Sequence, residues 1–268
     1  MIKISDKWGC FVKRKTALIT GGSTGIGKSI AYKLAEQHVN LIINYRSSEK
    51  EAHQLCRNLT ETYGTKNFPI KADITNFTEC ENLIENANKK FSAIDILVHN
   101  AGPYIHEKKT LSEYKADEWQ YLINGNLNAV FYLSSKLIPQ MRSNQWGRII
   151  TIGFDRADTA PGWKYRSAYA AAKTGVASLT KTIALEEAPY GITANMVCPG
   201  DIIGEWKEKQ IDSALNFKDD ETPIGRPGTG EDISRVIAFL IDNQSDFITG
   251  SIIPVTGGKD VLGKNIHC

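Results

Sequence analysis

The sequence has little surplus charge, few cysteines and no long hydrophobic run, and each shortage removes a class of protein. Lys and Arg number 32 against 30 Asp and Glu, a formal net charge of +2. So even a balance gives no electrostatic case for nucleic acid as a partner. No uncharged apolar stretch reaches the ~18 residues of a membrane span, so no transmembrane helix and no membrane partner are expected. The opening MIKISDKWGCFVKRK lacks the apolar core and small-residue cleavage site of a secretory signal. The five cysteines (Cys10, Cys56, Cys80, Cys198 and Cys268) form no CxxC pair and no zinc-type spacing. Reduced thiols in a cytoplasmic protein are the simplest expectation. The five histidines are scattered without an HExxH, so no metal site is expected.

What is present is an alternation of apolar strands and amphipathic helices. Strands are expected at Thr16–Thr20, Leu41–Tyr45, Asn67–Lys71, Asp95–His99, Arg148–Ile152, Thr193–Val197 and Ser251–Val255. Helical spacing runs over Lys28–Gln37, Glu49–Tyr63, Asn76–Phe91, Asp117–Arg142, Ser167–Glu187 and Glu231–Asp242. That order implies an α/β fold: a single doubly wound Rossmann domain with a seven-stranded parallel sheet and helices on both faces. Residues 1–14 read as an N-terminal extension and 15–268 as the dinucleotide-binding and catalytic domain. Residues 200–230 are read as a long irregular substrate flap.

The glycines are informative by position. Residues 20–27 read TGGSTGIG between a strand and a helix. Gly21 allows a sharp turn, Gly25 lets backbone approach a pyrophosphate, and Gly27 lets helix pack closely on strand. Free N–H groups at the helix N-terminus then meet the phosphates, with Ser23, Thr24 and Ile26 in the same turn. The second strand ends in Asn44-Tyr45-Arg46-Ser47-Ser48, with no acid to hold a ribose 2′-hydroxyl. Arg46 and Ser47 suit a 2′-phosphate instead, so NADP(H) is the expected cofactor, with Tyr45 beside them.

Tyr169 and Lys173 stand four residues apart on one face of a helix rich in small residues. A nearby cation is expected to lower the phenol's pKa and fit it to exchange a proton with a carbonyl oxygen. Tyr104/Lys108 and Tyr132/Lys136 repeat the spacing, but the first lies in a loop and the second in a long apolar helix, where packing is expected. His99 reads as a packed side chain and Cys198 as a small apolar filler. Trp163 and Trp206 read equally well as pocket walls or as packing.

These residues together resemble the short-chain dehydrogenase/reductase family, most closely its 3-oxoacyl-[acyl-carrier-protein] reductases. The resemblance spans roughly residues 15–258. It rests on TGGSTGIG, Ala72-Asp73-Ile74, Asn100-Ala101-Gly102, Asn126 in GNLNAVF, the Tyr169/Lys173 pair, Cys198-Pro199-Gly200 and Ile248-Thr249-Gly250. It implies that Asp73 touches the adenine and Ile74 packs on it. Asn100, Ala101 and Gly102 would line the nicotinamide side, and Pro199, Gly200 and Ile202 the nicotinamide pocket. Asn126 would hold a water relaying protons from Lys173. It further implies a small-molecule or carrier-linked carbonyl substrate and a homotetramer built on the fourth and fifth helices. One position departs from the resemblance. A Ser is usual just after the fifth strand, and here Phe154 stands there counted from the strand, or Arg156 counted back from Tyr169. Asp155, Thr159 and Ser167 are alternative replacements. The missing hydroxyl leaves two readings open: an NADPH-dependent reductase using Tyr169, Lys173 and Asn126, or an NADP(H)-binding sensor or scaffold without catalysis.

Overall fold

A computed structural model describes residues 14–260 and Leu262. The expected extension, apart from Arg14, lies outside the described residues, as do Cys10 and Cys268. Seven strands form one parallel sheet: β1 (Thr16–Ile19), β2 (Asn40–Tyr45), β3 (Asn67–Lys71), β4 (Ile96–His99), β5 (Gly147–Ile152), β6 (Ile192–Pro199) and β7 (Ile252–Val255). Their order is β3-β2-β1-β4-β5-β6-β7. The chain direction across the sheet therefore reverses at β1, between β2 and β4. In open α/β sheets that reversal leaves a crevice at the carboxyl ends of the strands, where ligands sit.

The central strands are mostly apolar because both faces of the sheet are covered. Alternate residues of β1 go to opposite sides, Ala17 and Ile19 to one cluster and Leu18 to the other. The first cluster takes Ile30 and Leu34 of α1 (Gly25–Glu36), Leu55 and Leu59 of α2 (Glu49–Tyr63), and Ile233 and Ile237 of α8 (Gly230–Leu240). The second takes Leu83 of α3 (Phe77–Lys90) and Leu133 and Leu137 of α5 (Ala129–Ser143). Each fully buried Leu or Ile contributes about 1.5–3 kcal/mol.

Most element ends shift by one to three residues from the sequence expectation, and three departures bear on the site. The first helix starts at Gly25, not Lys28, so the glycine turn itself supplies the helix N-terminus. The expected single helix over Asp117–Arg142 is interrupted: α4 (Ala116–Ile123) ends in a wide π turn, Asn124–Asn128, before α5. The cause is Asn126, whose Nδ2 donates to Leu122 O at 3.0 Å and to Pro103 O at 2.8 Å. Gly125 is needed in that turn, because a Cβ there would meet Pro103 Cδ at 2.3 Å. The stretch 200–230 is not wholly irregular, since it holds a 3-10 turn at Gly204–Glu208 and a short α7 (Ile211–Ala214). Trp206 packs edge-on against Phe217 within it, with ring centres 4.9 Å apart. The remaining helix, α6 (Ser167–Glu187), lies against β6.

Candidate active site

The turn after β1 is tied to β2 and to the end of β4. Thr20 Oγ1 accepts from the backbone N–H groups of Asn100 and Ala101, both at 3.0 Å. Asn100 Nδ2 donates back to Thr20 O and Gly21 O, and Gly21 N–H donates to Asn44 Oδ1. Gly21 and Gly25 have φ of +59° and +58°, a region that disfavours any side chain. At Gly27 a Cβ would fall 2.2 Å from Gly21 O, so the helix packs on the turn only with glycine there. Gly25 N–H donates to Glu208 Oε1 at 2.7 Å, and Lys28 Nζ donates to Glu208 Oε2 at 2.7 Å. An anion thus already sits on the N-terminus of α1, where an anionic ligand group fits.

Beside this turn lies a cleft of about 660 Å³. Gly21, Ser23 and Thr24 border it from the turn, and Tyr45, Arg46 and Ser47 from the end of β2. Asp73 and Ile74 enter from the end of β3, Ala101 and Gly102 from the end of β4. Tyr121 of α4 closes the rim, a residue that the sequence did not mark. Its Oη accepts from Arg46 Nη1 at 2.6 Å, and Asp73 lies 3.7 Å from the same guanidinium. Arg46 is therefore oriented over the cleft by two partners. The 75-residue separation from Tyr121 leaves no local sequence signal for that contact.

Ile26, Gly25 and Gly27 do not border this cleft. Ile26 packs on the core below the turn. Pro199 ends β6, while Gly200 and Ile202 line a neighbouring cleft with Thr222 and Arg226. Ile202 is itself buried in the core. The donor set of the main cleft, with basic and hydroxyl groups at the β2 end and no acid on that strand, fits a phosphorylated dinucleotide.

Tyr169 and Lys173 lie on the first turns of α6, beyond β5. Lys173 Nζ donates to Ile152 O at 2.8 Å. A Cβ at Gly102 would lie 2.2 Å from Asn126 Oδ1 and 3.5 Å from Lys173 Nζ, so both side chains converge on that glycine. The Oδ1 of Asn126 is buried without a hydrogen-bond partner among the described residues, which leaves an acceptor aimed at the cleft edge. Burial pushes the Lys173 ammonium down to about 8. The same burial, reinforced by Tyr104, pushes the Tyr169 phenol up, not down. The expected lowering by Lys173 does not occur, because desolvation of the phenolate outweighs a cation whose Nζ is 5.8 Å from the ring centre.

Three rings surround Tyr169. Tyr104 stands edge-on with centres 5.0 Å apart, Trp163 lies at 5.9 Å and Phe154 at 6.3 Å. Phe154 is buried against Trp163, ring centres 5.1 Å apart, so an apolar ring fills the place after β5. Trp163 thus packs with Phe154 against the core cluster around α6, and Trp206 packs inside the flap. Of the alternative replacements, Thr159 Oγ1 donates to Arg156 O, Ser167 Oγ is buried, and Asp155 is nearly buried beside Arg156. Tyr132 packs edge-on against Phe77. His99 is buried with Nε2 3.0 Å from Ser134 Oγ, and burial pushes it down to about 3. Burial pushes the Cys198 thiol up to about 12, which removes thiolate character. Among the described residues no group of three His, Cys, Asp or Glu side chains could hold a metal ion. Among them, too, no helix is long and apolar enough to cross a membrane.

Residues 21–260 match the family model described as enoyl-(acyl carrier protein) reductase. The chain is 49% identical over 250 residues to YtkK of Bacillus subtilis strain 168, covering 93% of this chain and 98% of that one. It is 37% identical over 249 residues to the 3-oxoacyl-[acyl-carrier-protein] reductase FabG of Buchnera aphidicola, covering 91% and 97%. The acetoin dehydrogenase YohF of Salmonella typhimurium superposes with a TM-score of 0.83 at 26% identity, covering 91% and 95%. With the parallel sheet, the glycine turn and the Tyr169/Lys173 helix, these matches show that the chain belongs to the short-chain dehydrogenase/reductase family of oxidoreductases, among its 3-oxoacyl-[acyl-carrier-protein] reductase-like members.

Proposed function

We propose that the chain is an NADP(H)-dependent reductase of a carbonyl compound, a small molecule or a carrier-linked 3-oxoacyl thioester. The observation that carries this reading is the convergence of Lys173 and Asn126 on Gly102, at the edge of the cleft opened by the glycine turn, with the Tyr169 ring centre 5.8 Å from Lys173 Nζ. The bound cofactor would supply a hydride to the carbonyl carbon. The turn and the N-terminus of α1 would oppose the pyrophosphate charge, with Ser23, Thr24 and the backbone at Gly25 and Ile26 as partners. Arg46 and Ser47 would pair with the 2′-phosphate, and Tyr45, Asp73 and Ile74 would border the adenine. Asn100, Ala101, Gly102, Pro199, Gly200 and Ile202 would enclose the nicotinamide side.

Tyr169, held protonated by burial, would give its phenolic proton to the carbonyl oxygen. Lys173 would hold the ribose and offset the phenolate as it forms. Asn126 Oδ1, buried without a partner among the described residues, would accept from a water that returns the proton. Residues 15–268 act in this reading as one catalytic domain of a cytoplasmic homotetramer, with α4 and α5 at an interface. The test is direct. Purified protein should oxidise NADPH in the presence of acetoacetyl thioesters or diketones.

Phe154 favours a second reading, an NADP(H)-binding sensor or scaffold without turnover, since it puts no hydroxyl after β5. Calorimetric NADPH binding together with no NADPH oxidation on thioesters, diketones and quinones would select it.

A further inference from the structure

Hydride addition to a carbonyl develops negative charge on the oxygen, and a preorganised donor besides the proton source speeds such a step. The walls around Tyr169 narrow the choice of that donor. Phe154 offers only carbon. Ser167 Oγ is fully buried, with no hydrogen-bond partner among the described residues, and Thr159 Oγ1 is bonded within its own loop. Of the two remaining rings, Trp163 has its centre 5.9 Å from that of Tyr169, and Tyr104 stands nearer at 5.0 Å, half-buried at the end of the Gly102-Pro103 loop that Asn126 pins through Pro103 O.

The hydrogen bonds of Tyr104 set its polarity. Arg166 Nε donates to Tyr104 Oη at 2.5 Å. The guanidinium cannot accept, so the Tyr104 proton is left to point elsewhere. Arg166 itself is fixed by donation from Nη1 to Glu107 O and Tyr165 O, and from Nη2 to His106 O. Its charge over the Tyr104 ring, 4.9 Å from the centre, polarises the phenol further. Arg166 directly precedes α6, so one side chain locks the Tyr104 loop to the helix that carries Tyr169.

We infer that Tyr104 is a second catalytic hydroxyl, one that donates a hydrogen bond to the substrate carbonyl oxygen beside Tyr169, with Arg166 as its positioning residue. This rests on the reductase reading above. In the step a hydride from the reduced nicotinamide would form the C–H bond at the carbonyl carbon, its own C–H bond breaking as that ring is oxidised, and the carbonyl π pair would move to oxygen. That oxygen takes the proton of Tyr169, and Tyr104 keeps its own. The Tyr-x-x-x-Lys run at Tyr104/Lys108 thus has a use that its spacing does not reveal, since the partner that matters is Arg166 and not Lys108.

The experiment compares wild type, Tyr104→Phe and Trp163→Phe in NADPH oxidation with acetoacetyl thioester and a diketone, alongside NADPH titration by fluorescence. Tyr104→Phe keeps the ring and removes only the hydroxyl. Its kcat is expected to fall about 10²–10³-fold with NADPH Kd within about twofold. Trp163→Phe removes the other polar ring atom and is expected to keep kcat within about fivefold. An active wild type with Tyr104→Phe within about threefold of it overturns this inference alone and leaves the reductase reading standing. A large kcat loss in Trp163→Phe with none in Tyr104→Phe does the same and moves the role to the indole N–H. A wild type that binds NADPH but turns over nothing overturns the reductase reading and this inference together.

Discussion

Replacing Arg46 by Ala separates cofactor choice from every other property of the cleft. Arg46 bridges Tyr121 Oη at 2.6 Å and Asp73 at 3.7 Å on the rim, and its side chain is 56% exposed. A charge-assisted contact to a 2′-phosphate is worth about 1.5–3 kcal/mol. Leaving Tyr121 and Asp73 offsets up to about 1 kcal/mol of that, the usual worth of exposed pairs. With that offset in full the net gain is about 0.5–2 kcal/mol, or about 2–30-fold in Kd. Arg46→Ala is therefore expected to weaken NADPH by that factor and to leave NADH within about twofold, since NADH lacks the phosphate. Fluorescence titration of both cofactors on both proteins measures it. Equal weakening of the two, or no change in either, would refute the assignment of Arg46 to the 2′-phosphate.

Other outcomes follow from particular contacts. Glu208 occupies the N–H of Gly25 and the ammonium of Lys28, so the cofactor's pyrophosphate must compete with it. Glu208→Gln is expected to tighten NADPH by about two- to fivefold, from the ~0.3–1 kcal/mol typical of a charge at a helix terminus. Weaker binding would count against that competition. Neutral His99, pushed down to about 3, is protonated in the unfolded chain below its ordinary value but not in the folded one. Its contribution to stability is therefore complete above pH ~6.5 and falls by about 1.4 kcal/mol per pH unit as pH drops below that. Urea titrations should show His99→Asn gaining about 1.5–2 kcal/mol on wild type between pH 7 and pH 5. A pH-independent difference would remove His99 as the cause.

The fold was readable because parallel strands covered on both faces leave uninterrupted apolar runs such as LIIN and RIITI, and because the glycine turn needs its residues within one short segment. The site was readable where its members are local, as in TGGSTGIG and the Tyr169/Lys173 pair. It was not readable where geometry joins distant segments. The break at Asn126 depends on Pro103, Arg46 leans on Tyr121, and Tyr104 is set by Arg166. The raised proton affinity of Tyr169 is not legible in the spacing for a related reason. Four-residue spacing puts Lys173 on the same face, but burial, reinforced by Tyr104 and Cys198, decides the balance.

The most direct measurement is the rate of NADPH oxidation by wild type and Tyr169→Phe on a carbonyl substrate, with NADPH affinity measured in parallel. Wild type is expected to turn over. Tyr169→Phe is expected to lose about 10²–10⁴-fold in kcat while NADPH Kd stays within about threefold. Equal turnover by the two proteins would contradict the role given to Tyr169 and, with it, the reductase mechanism.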